Sequence, residues 1–369
     1  MKTLAGLLVI VLLHSAIAAQ QPDALSAHRA MAESFAELRP AYSSLNNVSN
    51  LTTPEPALSS GQKQKPNPAP QKPPANQLKR TKIDASMVGY IEDSAVQSQV
   101  RVRFDAGFNA PRPDRAEYFY AGTSSPASPS SAIQRTLNFQ QLYLDGEYSP
   151  ISRLSAFVQI PFRWIQPFFV PSPTLTPDLF SGGGISDVQA GLKFAAIAAD
   201  PRNLTFQLRA YFPSGDGRAG FGTNHYSIEP KVLLFQKLSD RVAIEAEAGD
   251  THPIGGTIFT ANAPSLSSPQ QFAADVAMYG IGPSYQFIRR DSYRITPVLE
   301  LVSWHVFGGL QTGPDKVVQS ASGINVLNAK FGARASFSNG SSIYAGYGRG
   351  VTSDIWYRNL FRIEYRRVF

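Results

Sequence analysis

The sequence predicts an all-β fold: a transmembrane antiparallel β-barrel of about 12 strands, preceded by a disordered N-terminal periplasmic tail. Three observations predict it. The final segment, Leu360–Phe369, alternates apolar with charged residues, as a strand does when its faces meet lipid and water. Similar alternating stretches recur from about residue 96 onward. The connections between them are alternately short and long, as in outer-membrane barrels.

Residues 1–19 have the features of a secretory signal peptide. Lys2 gives a charged start, residues 4–13 form a short apolar run, and Ala16–Ala19 offers a small-residue cleavage site. No later apolar run approaches the roughly 20 residues that a membrane-spanning helix requires. The chain contains no cysteine, so an exported protein of this length needs rigidity from a source other than disulfides. A closed barrel provides it.

The remaining chain divides by composition. Residues 20–82 are predicted to be a disordered linker rich in Pro, Gln and Lys, with a candidate short helix near residues 24–45. Residues 83–95 are a lead-in, within which Ile83–Asp93 is a candidate plug. Residues 96–369 are predicted to form the barrel. Because the short connections of such barrels face the periplasm, both chain ends are expected there.

Alternation also predicts individual elements of the barrel. The first strand is expected over Gln97–Phe108 and a later one over Gly184–Ala196, whereas Gly308–Ala321 is expected to be a loop. Aromatic residues near strand ends are expected to form girdles at the membrane interfaces. Those at the long-loop ends include Trp164, Phe212, Tyr226, Trp304 and Trp356.

The residues that alternate with the apolar ones are predicted to line the lumen. Bases outnumber acids, but both signs interleave, and paired charges are tolerable in a confined space. Two interpretations are open: salt-bridge networks that stiffen the wall, or a polar path with a weak preference for anions. The candidate lumen-lining residues are Arg101, Arg103, Asp105, Arg163, Lys193, Arg209, Glu229, Lys231, Glu245, Glu247, Arg294, Glu300, Lys330, Arg334, Arg362, Glu364 and Arg366.

The last strand carries a second predicted feature. Its apolar face, formed by Phe361, Ile363, Tyr365 and the terminal Phe369, resembles the signal by which outer-membrane barrels are recognised for insertion. The resemblance implies that the barrel-assembly machinery is a partner. Lipid of the bacterial outer membrane is the other expected partner, since it would contact the apolar faces of all strands.

Motifs in the middle of the chain resemble a known family. They are Gly182–Asp187, Gly191–Lys193, Phe212–Asp216 and Gly220–Gly222, supported by Glu229-Pro230 and Leu238–Asp240. The chain is similar here to the MetA-pathway phenol-degradation outer-membrane family, although Ser186 stands where that family has Gly and Ser214 where it has Thr. The resemblance implies a barrel associated with hydrophobic or aromatic compounds.

Other classes of function are disfavoured by the residues. The formal net charge is +7, but Arg and Lys are scattered, so nucleic-acid binding is not expected. His225 with Ser227 and His305 with Ser303 are the pairs that an outer-membrane lipid hydrolase could use, yet no carboxylate is placed to orient either imidazole. We therefore predict no enzyme, no catalytic residue, no metal and no cofactor.

The predicted function is a barrel channel or transporter for passive passage of small molecules, with hydrophobic or aromatic cargo suggested by the resemblance. The alternative is a structural or surface-interaction barrel whose lumen is closed and whose outer loops bind a partner. A lipid hydrolase is the third and weakest reading.

Overall fold

The structure is a computed structural model that describes residues 89–111, 134–169, 181–217, 219–255, 273–312 and 318–369. The predicted signal peptide (1–19), the predicted linker (20–82) and residues 83–88 of the candidate plug lie outside the described residues. No helix of the described part is long and apolar enough to cross a membrane.

The described residues form sixteen strands. Their bounds are β1 (Gln99–Ala110), β2 (Gln134–Ile151), β3 (Leu154–Phe169), β4 (Gly182–Ile185), β5 (Val188–Ala199), β6 (Arg202–Phe212), β7 (Tyr226–Lys237), β8 (Val242–Ile254), β9 (Val276–Tyr285), β10 (Ile288–Arg289), β11 (Tyr293–Val306), β12 (Leu310–Thr312), β13 (Val318–Ser320), β14 (Asn325–Phe337), β15 (Ser341–Gly350) and β16 (Asn359–Val368).

Twelve of these strands close into a ring. The order is β1-β2-β3-β5-β6-β7-β8-β9-β11-β14-β15-β16, and β16 pairs back with β1. Every pairing is antiparallel, and the closing pair runs from Gln99 opposite Val368 to Phe108 opposite Asn359. The short strand β4, just before β5 in the chain, also pairs with β3, and β10, just after β9, also pairs with β11. The predicted all-β antiparallel barrel of about 12 strands is therefore confirmed.

Some elements differ from the predictions. The first strand begins at Gln99 rather than Gln97, and the expected strand over Gly184–Ala196 is divided into β4 and β5. The segment Gly308–Ala321, expected to be a loop, contains the separate hairpin of β12 and β13. These three-residue strands are too short for alternation to reveal them.

The two ends of the barrel differ in their connections. At one end, here called the short-turn end, few residues join the strands, for example 152–153 and 338–340. Gly340 there has a φ of +83°, which a residue without a Cβ adopts most easily. At the opposite, long-loop end, β6 and β7 are joined by residues 213–225. The chain enters β1 and leaves β16 at the short-turn end.

The barrel wall has an apolar outer face and a polar inner face. On β5 and β6 the outward Leu192, Phe206 and Leu208 are 53%, 49% and 52% exposed, whereas Lys193 and Arg209, which follow Leu192 and Leu208, are buried. An alternation of two residues per repeat produces this arrangement on a pleated strand. The same pattern continues around the ring.

Many inward-facing residues at the long-loop ends of β1, β2, β9, β11, β14 and β16 are apolar instead. They form a cluster, here called the mouth cluster, in which Trp356 and Tyr357 from the connection between β15 and β16 are buried. Trp304 packs against it. The prediction that Trp304 and Trp356 belong to an outer girdle is therefore wrong. The β15–β16 connection carries Trp356 into the barrel mouth, and Trp304 on β11 faces the inner Lys330, whose ammonium is 5.4 Å from its ring centroid. The other members include Ala110, Leu137, Phe139, Ile165, Val276, Val306, Ala321, Ile324, Val326 and Leu360.

Candidate functional site: the barrel lumen

All of the candidate lumen-lining residues turn towards the inside of the ring. Arg101, Arg103 and Arg294 are half-buried, and the others are buried. The buried members are Asp105, Arg163, Lys193, Arg209, Glu229, Lys231, Glu245, Glu247, Glu300, Lys330, Arg334, Arg362, Glu364 and Arg366. The side chains of Phe361, Ile363, Tyr365 and Phe369 lie on the opposite face, and Phe369 is 72% exposed.

Many wall charges pair across neighbouring strands. Asp105 on β1 lies directly opposite Arg362 on β16, and two hydrogen bonds of 2.7 Å join the guanidinium to the carboxylate. Arg101 is likewise opposite Asp145 on β2, at 2.9 Å. Glu364 on β16 accepts from Arg334 on β14 at 2.9 Å, across the intervening strand β15, where Tyr344 is the register partner of both. The register of the ring brings these groups together, because cross-strand neighbours on one face are within side-chain reach.

Sequence reasoning did not identify several members of this wall. Asp145 and Glu147 on β2 are both engaged: Glu147 accepts from Lys193 at 3.1 Å and from Ser155. Gln141, which lies four residues before Asp145 on the same face of β2, accepts a hydrogen bond from Arg163. A signal was available, since these residues alternate with outward-facing ones along β2.

A short piece of chain before β1 occupies the lumen. We call Gly89–Ser94 the luminal segment; it overlaps the candidate plug Ile83–Asp93 over residues 89–93. The Glu300 carboxylate on β11 accepts hydrogen bonds from three successive backbone N–H groups, those of Gly89, Tyr90 and Ile91, at 3.0–3.2 Å. Arg362 donates to the Gly89 carbonyl at 2.8 Å. Strands β11 and β16 therefore both hold the backbone of the segment.

The Tyr90 side chain lies between cations. The ammonium of Lys330 is 4.2 Å from the ring centroid, and the guanidinium carbon of Arg362 is 4.3 Å from it. Such cation–π contacts are strongest where water is excluded. Tyr344 contacts the ring edge-on, with the centroids 6.0 Å apart. Burial raises the pKa of Tyr90, so this phenol stays neutral.

Glu92 is the most heavily paired residue of the segment. Its carboxylate is 2.5 Å from Arg209 and 2.7 Å from Lys231, and it also accepts from Gln207 at 3.0 Å. Burial by itself would raise the pKa of Glu92, but Arg209 and Lys231 outweigh burial and hold the pKa well below its ordinary value. Glu92 is consequently ionised over the whole neutral range.

The next two residues contact other parts of the wall. Asp93 receives a hydrogen bond of 2.8 Å from Arg366 on β16, and its backbone carbonyl accepts from Lys193 at 3.1 Å. The Ser94 carbonyl accepts from Thr205 at 2.5 Å. Since β16 and β6 lie on opposite sides of the ring, these contacts and those of Glu92 attach the segment across the full width of the lumen.

A polar cavity of about 160 Å³ lies beside the segment. That volume exceeds the roughly 10–15 Å³ needed for one water molecule. Arginines dominate its charged lining, while Glu92 and Glu364 are its carboxylates. The lining arginines are Arg101, Arg103, Arg209, Arg362 and Arg366.

The family-like motifs lie at the long-loop end. The Asp187 carboxylate accepts from the backbone N–H groups of Gly215 and Thr223, at 3.1 and 2.9 Å, and from the Thr223 hydroxyl. A Cβ atom on Gly222 would lie 2.4 Å from Asp187 Oδ1, so glycine is needed there. Ser186 donates from its hydroxyl to the Phe221 carbonyl. The motifs thus tie the β6–β7 connection to the wall.

The histidine and serine pairs do not form a lipid-facing dyad. His225 and Ser227 are buried, and His225 Nδ1 is 3.0 Å from the Thr223 carbonyl. Ser303 donates its hydroxyl to the Val326 carbonyl at 3.0 Å, whereas His305 Nδ1 lies 2.7 Å from Asn325. The Ser303 hydroxyl is therefore not directed at His305.

No family model matches the sequence, and no curated protein matches it. Membership of the MetA-pathway family thus stays a prediction. Among solved structures, an outer membrane channel from Pseudomonas putida F1 is 13% identical, with a TM-score of 0.48, over 74% of this chain and 96% of that one. The beta domain of the Bordetella autotransporter Brka is 15% identical, with a TM-score of 0.42, over 74% and 100%. The Pseudomonas putida toluene transporter TodX is 10% identical, with a TM-score of 0.36, over 73% and 88%.

Proposed function

We propose that the protein is an outer-membrane channel for passive passage of small molecules, closed at rest by the luminal segment. The carrying observation is a ring with an apolar outside and a charged inside, whose lumen holds a piece of its own chain. An apolar band on a closed barrel is suited to lipid. A charged interior is suited to a water-filled path.

The contacts of the segment support its role as a removable plug. Tyr90 and Ile91 are buried in the apolar cluster inside the barrel, but Glu92 and Asp93 attach the segment through hydrogen bonds and ion pairs. Water and mobile ions can replace such contacts when the segment leaves, which makes release less costly than exposing a packed apolar core. The short-turn end, from which the segment enters, would face the periplasm, and both chain ends with it.

Conductance in planar lipid bilayers tests the proposal. The full chain is expected to conduct weakly, and a variant lacking residues 83–93 is expected to conduct strongly, because the deletion removes most of the luminal segment. A deletion of the same length in the linker, residues 62–72, is the control and should behave like the full chain. Equal conductance of all three proteins would refute the plug.

A closed-lumen structural barrel is the second candidate function. The mouth cluster favours it, because Trp356, Tyr357 and Leu360 fill the long-loop end with buried apolar side chains. If the deletion variant inserts into the bilayer and remains as tight as the full chain, the barrel is structural. A channel requires that the cluster leave a path or move.

No single described contact in the lumen identifies the cargo. The family-like motifs suggest hydrophobic or aromatic compounds, and the mouth cluster would offer such compounds an apolar entrance. Uptake of toluene and of phenol into vesicles containing the deletion variant, compared with empty vesicles, measures this preference. Equal uptake by both vesicle types would remove aromatic compounds from the proposal.

A further inference from the structure

The two carboxylates of the luminal segment are held by opposite walls of the barrel. Glu92 contacts Arg209 on β6 and Lys231 on β7. Asp93, the next residue, contacts Arg366 on β16. In the ring order, β16 is separated from β6 by β1, β2, β3 and β5. The lumen therefore binds an elongated object with two negative groups directed away from each other.

The wall cations have their closest acidic partners on the segment. Arg209 is 2.5 Å from Glu92 but 3.5 Å from Glu229. Lys231 is 2.7 Å from Glu92, compared with 3.0 Å from Glu229.

Arg366 is likewise closer to the segment than to the wall carboxylate: it is 2.8 Å from Asp93 and 3.1 Å from Glu364. The wall alone thus leaves these three cations with their more distant partners. When the segment leaves, water or the more distant wall carboxylate replaces each close counter-charge, which is less favourable than replacement by another carboxylate.

The adjoining cavity gives a replacement a place to start. Arg209 and Arg366, which hold the segment, also line the cavity of about 160 Å³. Arg103 lines it too, with its guanidinium carbon 3.6 Å from the centroid of the Tyr143 ring. A carboxylate entering this cavity would meet Arg209 and Arg366, which bind Glu92 and Asp93, before the segment has left.

We propose that the luminal segment is a tethered competitor of an elongated dicarboxylate, and that such a dicarboxylate opens the barrel by taking over its contacts with Arg209, Lys231 and Arg366. This inference rests on the proposed channel function. Exchange of one carboxylate pair for another keeps a close counter-charge on each of these buried cations, so cargo of this class displaces the plug more readily than neutral cargo does.

A peptide experiment tests the competition. The probe is the acetylated and amidated heptapeptide Gly-Tyr-Ile-Glu-Asp-Ser-Ala, which has the sequence of residues 89–95. Added to the variant that lacks residues 83–93, it is expected to block the current in a concentration-dependent manner. The same peptide with Gln and Asn in place of its two acids should block roughly tenfold less strongly or worse, as loss of close charge pairs predicts.

Suberate is the small-molecule probe, and it should relieve block by the acidic peptide; hexanoate, with one carboxylate, should not. Arg209→Gln in the deletion variant should weaken block by the acidic peptide. Arg202→Gln, on the same strand but exposed at its turn, is the matched control. A deletion variant that never conducts refutes the channel. A conducting variant that both peptides block equally, or that neither blocks, refutes the competition and leaves the channel intact.

Discussion

Gly89 lies against the Tyr344 ring inside the barrel, where no side chain would fit. A Cβ atom on Gly89 would be 1.9 Å from Tyr344 Cζ. The ring itself packs on Gly332 and Gly346. A Cβ atom on Gly332 would lie 2.3 Å from the Tyr344 hydroxyl oxygen, and one on Gly346 would lie 2.2 Å from it, so both positions leave room for the ring only as glycine. Absence of a side chain at residue 89 therefore allows the luminal segment to dock.

Gly89→Ala is expected to prevent docking and to raise bilayer conductance towards that of the variant lacking residues 83–93. Overpacking of this kind costs about 1–3 kcal/mol. The double variant Gly89→Ala/Tyr344→Ala should close again, since removal of the ring makes room for the methyl group. Gly146→Ala is the control, because a Cβ there meets nothing within 4 Å. Unchanged conductance of Gly89→Ala would contradict the docked position.

The depressed pKa of Glu92 predicts how closure depends on pH. Its ion pairs contribute fully above the ordinary carboxyl pKa of 4.5, and they are lost only as the pH falls through the lower pKa of the docked state. Conductance should therefore stay low from pH 7 to about 4.5 and rise below that.

Glu92→Gln provides the comparison for this titration. Its conductance should already be raised at pH 7, and the further rise on acidification should be smaller than in the unsubstituted protein. Asp240→Asn, the same chemical change at an exposed turn, should titrate like the unsubstituted protein. If Glu92→Gln and the unsubstituted protein respond to acid identically, other carboxylates control closure.

At the scale of elements, the connection between β6 and β7 depends on one carboxylate of the wall. Asp187 receives hydrogen bonds from two backbone N–H groups and one hydroxyl of this connection. Loss of a charged acceptor leaves such donors unsatisfied, at about 1–3 kcal/mol each. The motif Gly182–Asp187 thus has a structural role, because its Asp187 holds the connection between β6 and β7.

Asp187→Asn should loosen this connection without unfolding the barrel. Trypsin cleavage after Arg218, followed by mass spectrometry, should accelerate roughly tenfold, in line with loss of one charged hydrogen-bond acceptor. Asp216→Asn, within the same connection, weakens an exposed bond of 3.3 Å from the Ala219 N–H and should have a smaller effect. Equal cleavage rates in both variants would show that Asp187 does not hold the loop.

For the whole molecule, the outward apolar face predicts that a charged substitution destabilises the barrel more, the deeper in the membrane it lies. Leu208 lies in the middle of β6 and is 52% exposed, while Leu238 in the β7–β8 turn is 59% exposed. Leu208→Arg should lower the free energy of unfolding in lipid vesicles by about 2–4 kcal/mol, and Leu238→Arg by at most about 1 kcal/mol. Urea titration of refolded protein measures both. Equal, small effects would indicate that water, not lipid, contacts Leu208.

Alternation by itself determined the barrel class and most strand positions, and it separated the charged residues from the exposed apolar ones. It could do so because a period of two depends only on the local pleat of a strand. The insertion role of Phe361 and Phe369 and the membership of a family rest on resemblance and stay predictions. The strands of the extra hairpin, β12 and β13, are too short for a two-residue alternation to be recognised in them.

Only the tertiary structure decided which charges meet and what fills the lumen. Glu92 contacts Arg209 and Lys231 across more than 100 residues of sequence. Such partners are set by the register of the closed ring and by the path of residues 89–94 into it, neither of which a local pattern contains. Trp356 turned inward for the same reason, because loop packing rather than strand period positions it.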